Sequence, residues 1–197
     1  MAYVDLSRPD AVSVLDRHLE FPNVRGIRQM LHAGPAMSYL ASGLWQQNIA
    51  ELARRRLSFD LQIQPAQMEA AADVIAANPD IQFILDHAGC PPSPATDPTL
   101  WASGLARLAA LPNIAVKLSG FGMFDRDWTA RSIAPIVQRI VSLFGAERCM
   151  FGSNFPVDSL MRDYRSIWTA FGDAVAHLSP SEQHWLFYGT AAKIYRI

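Results

Sequence analysis

The chain of 197 residues is half apolar and carries 17 Lys and Arg against 18 Asp and Glu, a formal charge of −1. That is enough apolar material for one buried core, and it argues against disorder, a coiled coil or a basic surface for nucleic acid. No apolar run reaches the roughly 18 residues of a membrane span, no basic-then-apolar leader opens the chain, and Cys90 and Cys149 have neither metal-ligand nor redox spacing, so a cytoplasmic protein with reduced thiols is expected.

Short β-rich runs at 2–6, 24–31, 58–64, 81–86, 113–119 and 148–153 alternate with longer helical stretches. Pro9-Asp10 has the chemistry of a helix start, and Arg54-Arg55-Arg56 suits the last turn of a helix, where cations complement the dipole. Pro65 and Asp97-Pro98 open two more helices, and Ser179-Pro180-Ser181-Glu182 has the form of a capping box with Pro at the first helical position. Strands separated by helices, without hairpin signals, predict parallel pairing through right-handed crossovers and hence an α/β fold. The strand starts recur at about the spacing of a βα unit, so the chain holds about six such units where a closed (β/α)8 barrel needs eight. No linker-like stretch divides residues 1–197, which are read as one domain.

Each predicted strand ends in a polar or ionisable residue: Asp5, Arg28, Asp60 with Gln62 and Gln64, Asp86 with His87, Lys117 with Ser119, and Ser153 with Asn154. Buried parallel strands favour Val, Ile and Leu, so a polar pocket at the carboxyl-end mouth is the common explanation. Plainer readings stand beside it: Asp5 as a helix cap, Arg28 in a structural ion pair, Asp86 as the partner that orients His87 or as an acceptor of backbone bonds. Alternation puts Lys117 and Ser119 on one side. His87 ranks first among the functional candidates, because an imidazole at a strand end can exchange protons near neutral pH. His18, His177 and His184 fall in helical stretches, and His32 is assigned to a loop just past the second strand. Trp45, Trp101, Trp128, Trp168 and Trp185 are read as helical core residues, and Tyr3 and Phe155 as neighbours of the mouth. Gly-rich phosphate loops, the Gly-x-Ser-x-Gly elbow and the His-Glu-x-x-His helix are absent from the sequence.

Three segments carry a resemblance: Ile-Leu-Asp-His-Ala-Gly-Cys-Pro at 84–91, Asn-Ile-Ala-Val-Lys-Leu-Ser-Gly at 113–120 and Arg-Cys-Met-Phe-Gly-Ser-Asn-Phe-Pro-Val at 148–157. With Val24-Arg25-Gly26-Ile27-Arg28, Phe59-Asp60-Leu61 and Tyr3-Val4-Asp5-Leu6, they are similar, in order, to the amidohydrolase-related TIM-barrel family of sugar-acid and pyrone dicarboxylate lactonases. On that family's barrel these strands would be the third to the eighth, leaving the chain without a counterpart of the opening His-x-His strand. In full-length relatives that pair implies a divalent metal, Zn or Mn; here no metal ligand and no cofactor is assigned. Asn154 stands where many relatives have Asp, with Asp158 as the nearest carboxylate, and Gln29 stands where relatives often have His.

The resemblance implies hydrolysis of a cyclic ester of a small polar acid by activated water. His87, Asn154 and Asp158 are the expected catalytic group, with Arg28, Asp60, Gln64, Lys117 and Ser119 binding the substrate. Two alternatives are a catalytically silent fragment or binding module of the same fold and a decarboxylase on a related barrel. The expected partner is the small lactone, with neither nucleic acid nor membrane, and open sheet edges would favour pairing with another copy.

Overall fold

Every β-rich run contains a strand, shorter than the run itself: β1 (Ala2–Tyr3), β2 (Gly26–Met30), β3 (Ser58–Gln62), β4 (Phe83–Leu85), β5 (Ile114–Leu118) and β6 (Cys149–Phe151). The structure, a computed structural model, describes residues 1–31, 36–93 and 96–197; His32 lies outside them. The six strands form one sheet in chain order, each neighbouring pair parallel.

Helices fill the crossovers: α1 (Ala11–Leu19), α2 (Ala36–Ala41) with α3 (Gly43–Arg54), α4 (Met68–Ala77), α5 (Thr99–Ala109) and α6 (Ala130–Phe144). After β6 come α7 (Tyr164–Ala174), α8 (Pro180–His184) and α9 (Thr190–Tyr195), the last two joined by a wide turn at Trp185–Gly189. This is an α/β fold of TIM-barrel type with six units, and among the described residues β1 and β6 do not pair with each other, so the barrel stays open.

The helix signals act locally as their chemistry dictates. Ser179 caps α8, its Oγ accepting from Glu182 N while Glu182 Oε2 accepts from Ser179 N. Asp10 takes the N-cap position of α1, Arg54 ends α3, and Arg55 pairs with both Asp16 and Glu51. Trp128 departs from the expectation: it precedes α6, whose N-cap is Thr129, and it is fully buried between Phe121 and Phe171.

One face of the sheet makes the main core. Ile27, Phe59, Leu61, Phe83, Leu85, Val116, Leu118 and Phe151 pack against Leu15, Trp45, Ile49, Leu105, Val137, Ile140 and Phe171 of the helices. Removing such a side chain from water stabilises by roughly 1.5–3 kcal/mol, which fixes which face each strand turns inward to the helices. The opposite face is the barrel interior. There Ile84, Ala115 and Met150 meet Ala191, Ile194 and Tyr195 of α9, so the C-terminal helix floors the interior.

Candidate functional site

Alternation along parallel strands sends every second residue to the interior, and register sorts those residues into rows. Tyr3, Arg28, Asp60, Ile84 and Ala115 stand side by side across β1 to β5. Two residues further on, at the carboxyl ends, the same face carries Gln62, Asp86 and Lys117, the last beside Met150. The apolar members lie under α9, and the polar members meet one another.

Lys117 Nζ donates to Asp60 Oδ2 at 2.9 Å and to Asp86 Oδ1 at 2.8 Å. Arg28 Nε lies 3.3 Å from Asp86 Oδ2, a close ion pair without hydrogen-bond alignment, and Arg28 Nη2 donates to Gln62 Oε1. The Tyr195 hydroxyl donates to Asp60 Oδ1 at 3.0 Å. Two cations balance the two buried carboxylates, as charges so far from water require. Burial raises the Asp60 carboxyl above the ordinary range, against the pull of Lys117. Lys117 is held well above its usual value: desolvation opposes the charge, but Asp86 and Asp60 outweigh it. The Arg28 side chain is 36% exposed and Lys117 only 20%, so Arg28 is the cation that faces open space.

His87 extends this cluster. Its Nε2 is 3.3 Å from Arg28 Nη2 and its Nδ1 is 3.0 Å from Ser119 Oγ. A guanidinium only donates, so Nε2 accepts and the ring proton belongs on Nδ1, shared with Ser119. The backbone that aims this ring is strained: His87, Ala88, Gly89 and Cys90 have φ of 54°, 53°, 68° and 53°. Left-handed backbone costs about 1–2 kcal/mol per non-glycine residue, and such strain concentrates at functional sites. Surrounding contacts hold it, with Cys90 N donating to His87 O at 2.9 Å and Trp101 Nε1 to Ala88 O at 2.9 Å. Gly120 supports the ring from the other side: a Cβ there would lie 2.7 Å from His87 Nδ1.

Asn154, past β6 with φ of 51°, donates from Nδ2 to Asp158 Oδ1 at 2.9 Å. Asp158 is 1% exposed, and burial raises its carboxyl, although Asn154 and the Gly122 N–H pull it the other way. Its carboxylate is therefore turned to the loops that frame the mouth. Gln64 stands apart from the cluster; it is exposed at the start of the Pro65–Gln67 turn, its N–H donating to Gln67 Oε1. Asp5 anchors the turn after β1 through Ser7 and Gln29. Gln29 faces the helices, where its Oε1 accepts from Trp45 Nε1 and Leu6 N. Tyr3 is in the Arg28 row, and Phe155 packs edge-on to Tyr164.

Asp86, Gln62 and Tyr195 belong to the cluster although none is in the expected site set. Asp86 was signalled by its place beside His87 at a strand end, and Gln62 by alternation with Asp60. For Tyr195 the sequence carries no such sign. A divalent metal does not fit the residues present: Asp60 and Asp86 already face the fixed charge of Lys117, and Nε2 of His87 faces a guanidinium. Among the described residues no three His, Cys, Asp or Glu side chains converge as a metal site.

Comparison with known proteins gives a consistent result. A family model described as amidohydrolase (Amidohydro_2) matches residues 1–197. The chain is 40% identical over 205 residues to the uncharacterized protein y4mH of Sinorhizobium fredii, across 100% of this chain and 69% of that protein. It is 28% identical over 209 residues to an L-fucono-1,5-lactonase of Burkholderia ambifaria, across 100% of this chain and 70% of that protein. Among solved structures, an amidohydrolase from Burkholderia multivorans with bound zinc superposes with a TM-score of 0.89 at 26% identity, over 100% of this chain and 72% of that one. With its whole length inside the family model and its parallel strands superposing on a solved amidohydrolase, the chain belongs to the amidohydrolase family.

Proposed function

We propose that this chain hydrolyses the cyclic ester of a small polar acid lactone. The observation that carries the reading is the His87–Arg28 contact: an imidazole whose Nε2 lies 3.3 Å from Arg28 Nη2, the more exposed cation of a charge-balanced cluster. The similarity to an L-fucono-1,5-lactonase supports the same substrate class.

The geometry suggests an order of events. A substrate carboxylate or carbonyl oxygen engages the Arg28 guanidinium, which draws the guanidinium from His87 and uncovers Nε2. Nε2 then accepts a proton from water as the water oxygen attacks the lactone carbonyl, and Ser119 steadies the ring through Nδ1. Arg28, with the Lys117 donor not spent on Asp60 and Asp86, stabilises the negative charge that grows on the carbonyl oxygen. When the carbonyl re-forms, the C–O bond of the ring breaks and the proton on Nε2 passes to the leaving oxygen. Water and lactone have become a hydroxy acid. Asn154 orients the water or the substrate, and Asp158 acts through Asn154 by holding its amide. Asp60 positions Lys117.

The test is a panel of sugar-acid lactones, with acid release followed by a pH indicator. Hydrolysis is expected, lowered about 100-fold or more in His87→Asn, since a general base contributes typically that much. In Arg28→Met the loss should appear in both KM and kcat. A folded parent chain that opens no lactone in the panel would overturn the proposal.

A further inference from the structure

We propose that Tyr195 is a positioning residue for the interior site: its hydroxyl fixes the Asp60 carboxylate, and through that carboxylate it holds Lys117 between Asp60 and Asp86.

Tyr195 comes from the last helix of the chain, far in sequence from every other member of the cluster. Its ring lies in the floor formed by Ile84, Ala115 and Met150 together with Ala191 and Ile194. Packing explains the ring, and phenylalanine would supply it equally. It does not explain the hydroxyl, which must be desolvated to enter this floor and is placed 3.0 Å from Asp60 Oδ1.

That bond occupies one Asp60 oxygen and leaves Oδ2 for Lys117 at 2.9 Å. The Lys117 ammonium also lies 5.5 Å from the Tyr195 ring centroid, within range of a cation–π contact. One side chain thus touches both the anion and the cation of the pair from below, while the strands supply them from the side. The groups facing Asp60 are Lys117 from β5, Asp86 from the end of β4, Arg28 beside it on β2, and Tyr195 from α9. Burial pushes the phenol well above its usual range, so Tyr195 is a neutral donor near neutral pH.

The test reads Asp60 directly and so does not depend on which substrate the site takes. Aspartate carboxyl carbons are labelled with 13C, Asp60 is identified by its absence in Asp60→Asn, and its titration is followed by NMR in the parent and in Tyr195→Phe. A hydrogen bond to a charged group contributes about 1.5 kcal/mol, so the Asp60 midpoint should rise by about one pH unit, a tenfold gain in proton affinity, while Asp158 stays unmoved. An unchanged Asp60 midpoint in a folded variant overturns the proposal. Should Tyr195→Phe not fold, the reciprocal measurement decides: in Asp60→Asn the slowest tyrosine to ionise by ultraviolet absorbance should titrate at lower pH than in the parent, and an unmoved tyrosine counts as refutation. With a lactone that turns over, Tyr195→Phe should lower kcat more than it raises KM, as expected when Lys117 loses its fixed place. A parent without turnover would sink the lactone reading and leave the titration result standing.

Discussion

Lys117 Nζ and Asp60 Oδ2 stand 2.9 Å apart across the strand that separates them, and the same ammonium is 2.8 Å from Asp86, the residue just past the end of that strand. The carboxylate side chains are 2% and 0% exposed, so Lys117 bridges two charges that water cannot reach, with Arg28 as the second cation beside Asp86. Lys117→Met would keep the length of the side chain and leave Asp60 with only the Tyr195 hydroxyl and Asp86 with only Arg28. Breaking a buried pair in this way costs about 3–5 kcal/mol, because a carboxylate is left desolvated and unmatched. The expected loss is read from urea unfolding near neutral pH. Lys117→Met with Asp60→Asn should recover part of it, and a double variant no more stable than the single one would show that the pair is not what Lys117 supports.

Gly120 is where the loop after β5 meets the catalytic candidate. Its φ is 72°, and a methyl group there would fall 2.7 Å from His87 Nδ1 and 3.0 Å from Cγ. Gly120→Ala therefore meets two penalties, the left-handed backbone and the displaced ring, together about 2 kcal/mol or more. The ring cannot retreat without leaving Ser119. Activity toward a lactone should fall more steeply than stability, with kcat affected before KM, and NMR of the His87 ring should show that Nδ1 no longer shares its proton with Ser119. A variant with parental kcat would mean that the ring tolerates the shift.

The fold was legible because its signals are local. β-rich runs between capped helices dictate parallel strands, and Lys117 and Ser119 share a face because strands alternate. The strands end earlier than their apolar runs suggest where side chains or turns take over the backbone: β4 stops at Leu85, just before the left-handed turn at His87, and β3 at Gln62 rather than Gln64. Gln62, inside β3, bonds to Arg28, while Gln64, past its end, is exposed. Pairings set by register were not legible: Asp60 and Lys117 are 57 positions apart, and Tyr195 and Asp60 are 135 apart. Nothing in a C-terminal Tyr-Arg-Ile tells that its phenol reaches the centre of the sheet. The burial of Asp158 was equally hidden, since it depends on how the loop after β6 folds over Gly122.

Both cysteines should resist thiol reagents in the native protein. Cys90 is 5% exposed and Cys149 0%, and burial pushes their thiols up to about 11 and about 12. The thiolate is the reactive form, so little of either is available near pH 8. Labelling with a chromogenic disulfide should report almost no thiol until urea is added, then both. Cys90 closes the strained turn that carries His87, whereas Cys149 lies within β6, so partial denaturation should expose Cys90 first. Mass mapping of the labelled peptide checks this order, and early labelling of Cys149 would place the weakest part of the fold at β6 instead.

Asp158 gives a pH dependence with a definite sign. Burial holds its carboxyl above the ordinary value in the folded chain. Between the unfolded value, about 3.9, and the raised folded value, the native state binds more protons than the unfolded state, so this group makes stability fall as pH rises through that window. Above the folded value the penalty is complete and constant. Asp158→Asn removes the ionisation and retains an oxygen to accept from Asn154 Nδ2. The stability of the variant relative to the parent should therefore increase from about pH 3.5 upward and then level off. Urea midpoints of both proteins at matched ionic strength give the difference directly. If it runs the other way, with the parent gaining on the variant as pH rises, the hydrogen bonds from Asn154 and Gly122 outweigh desolvation, and Asp158 holds the loop as a favoured carboxylate rather than a penalised one.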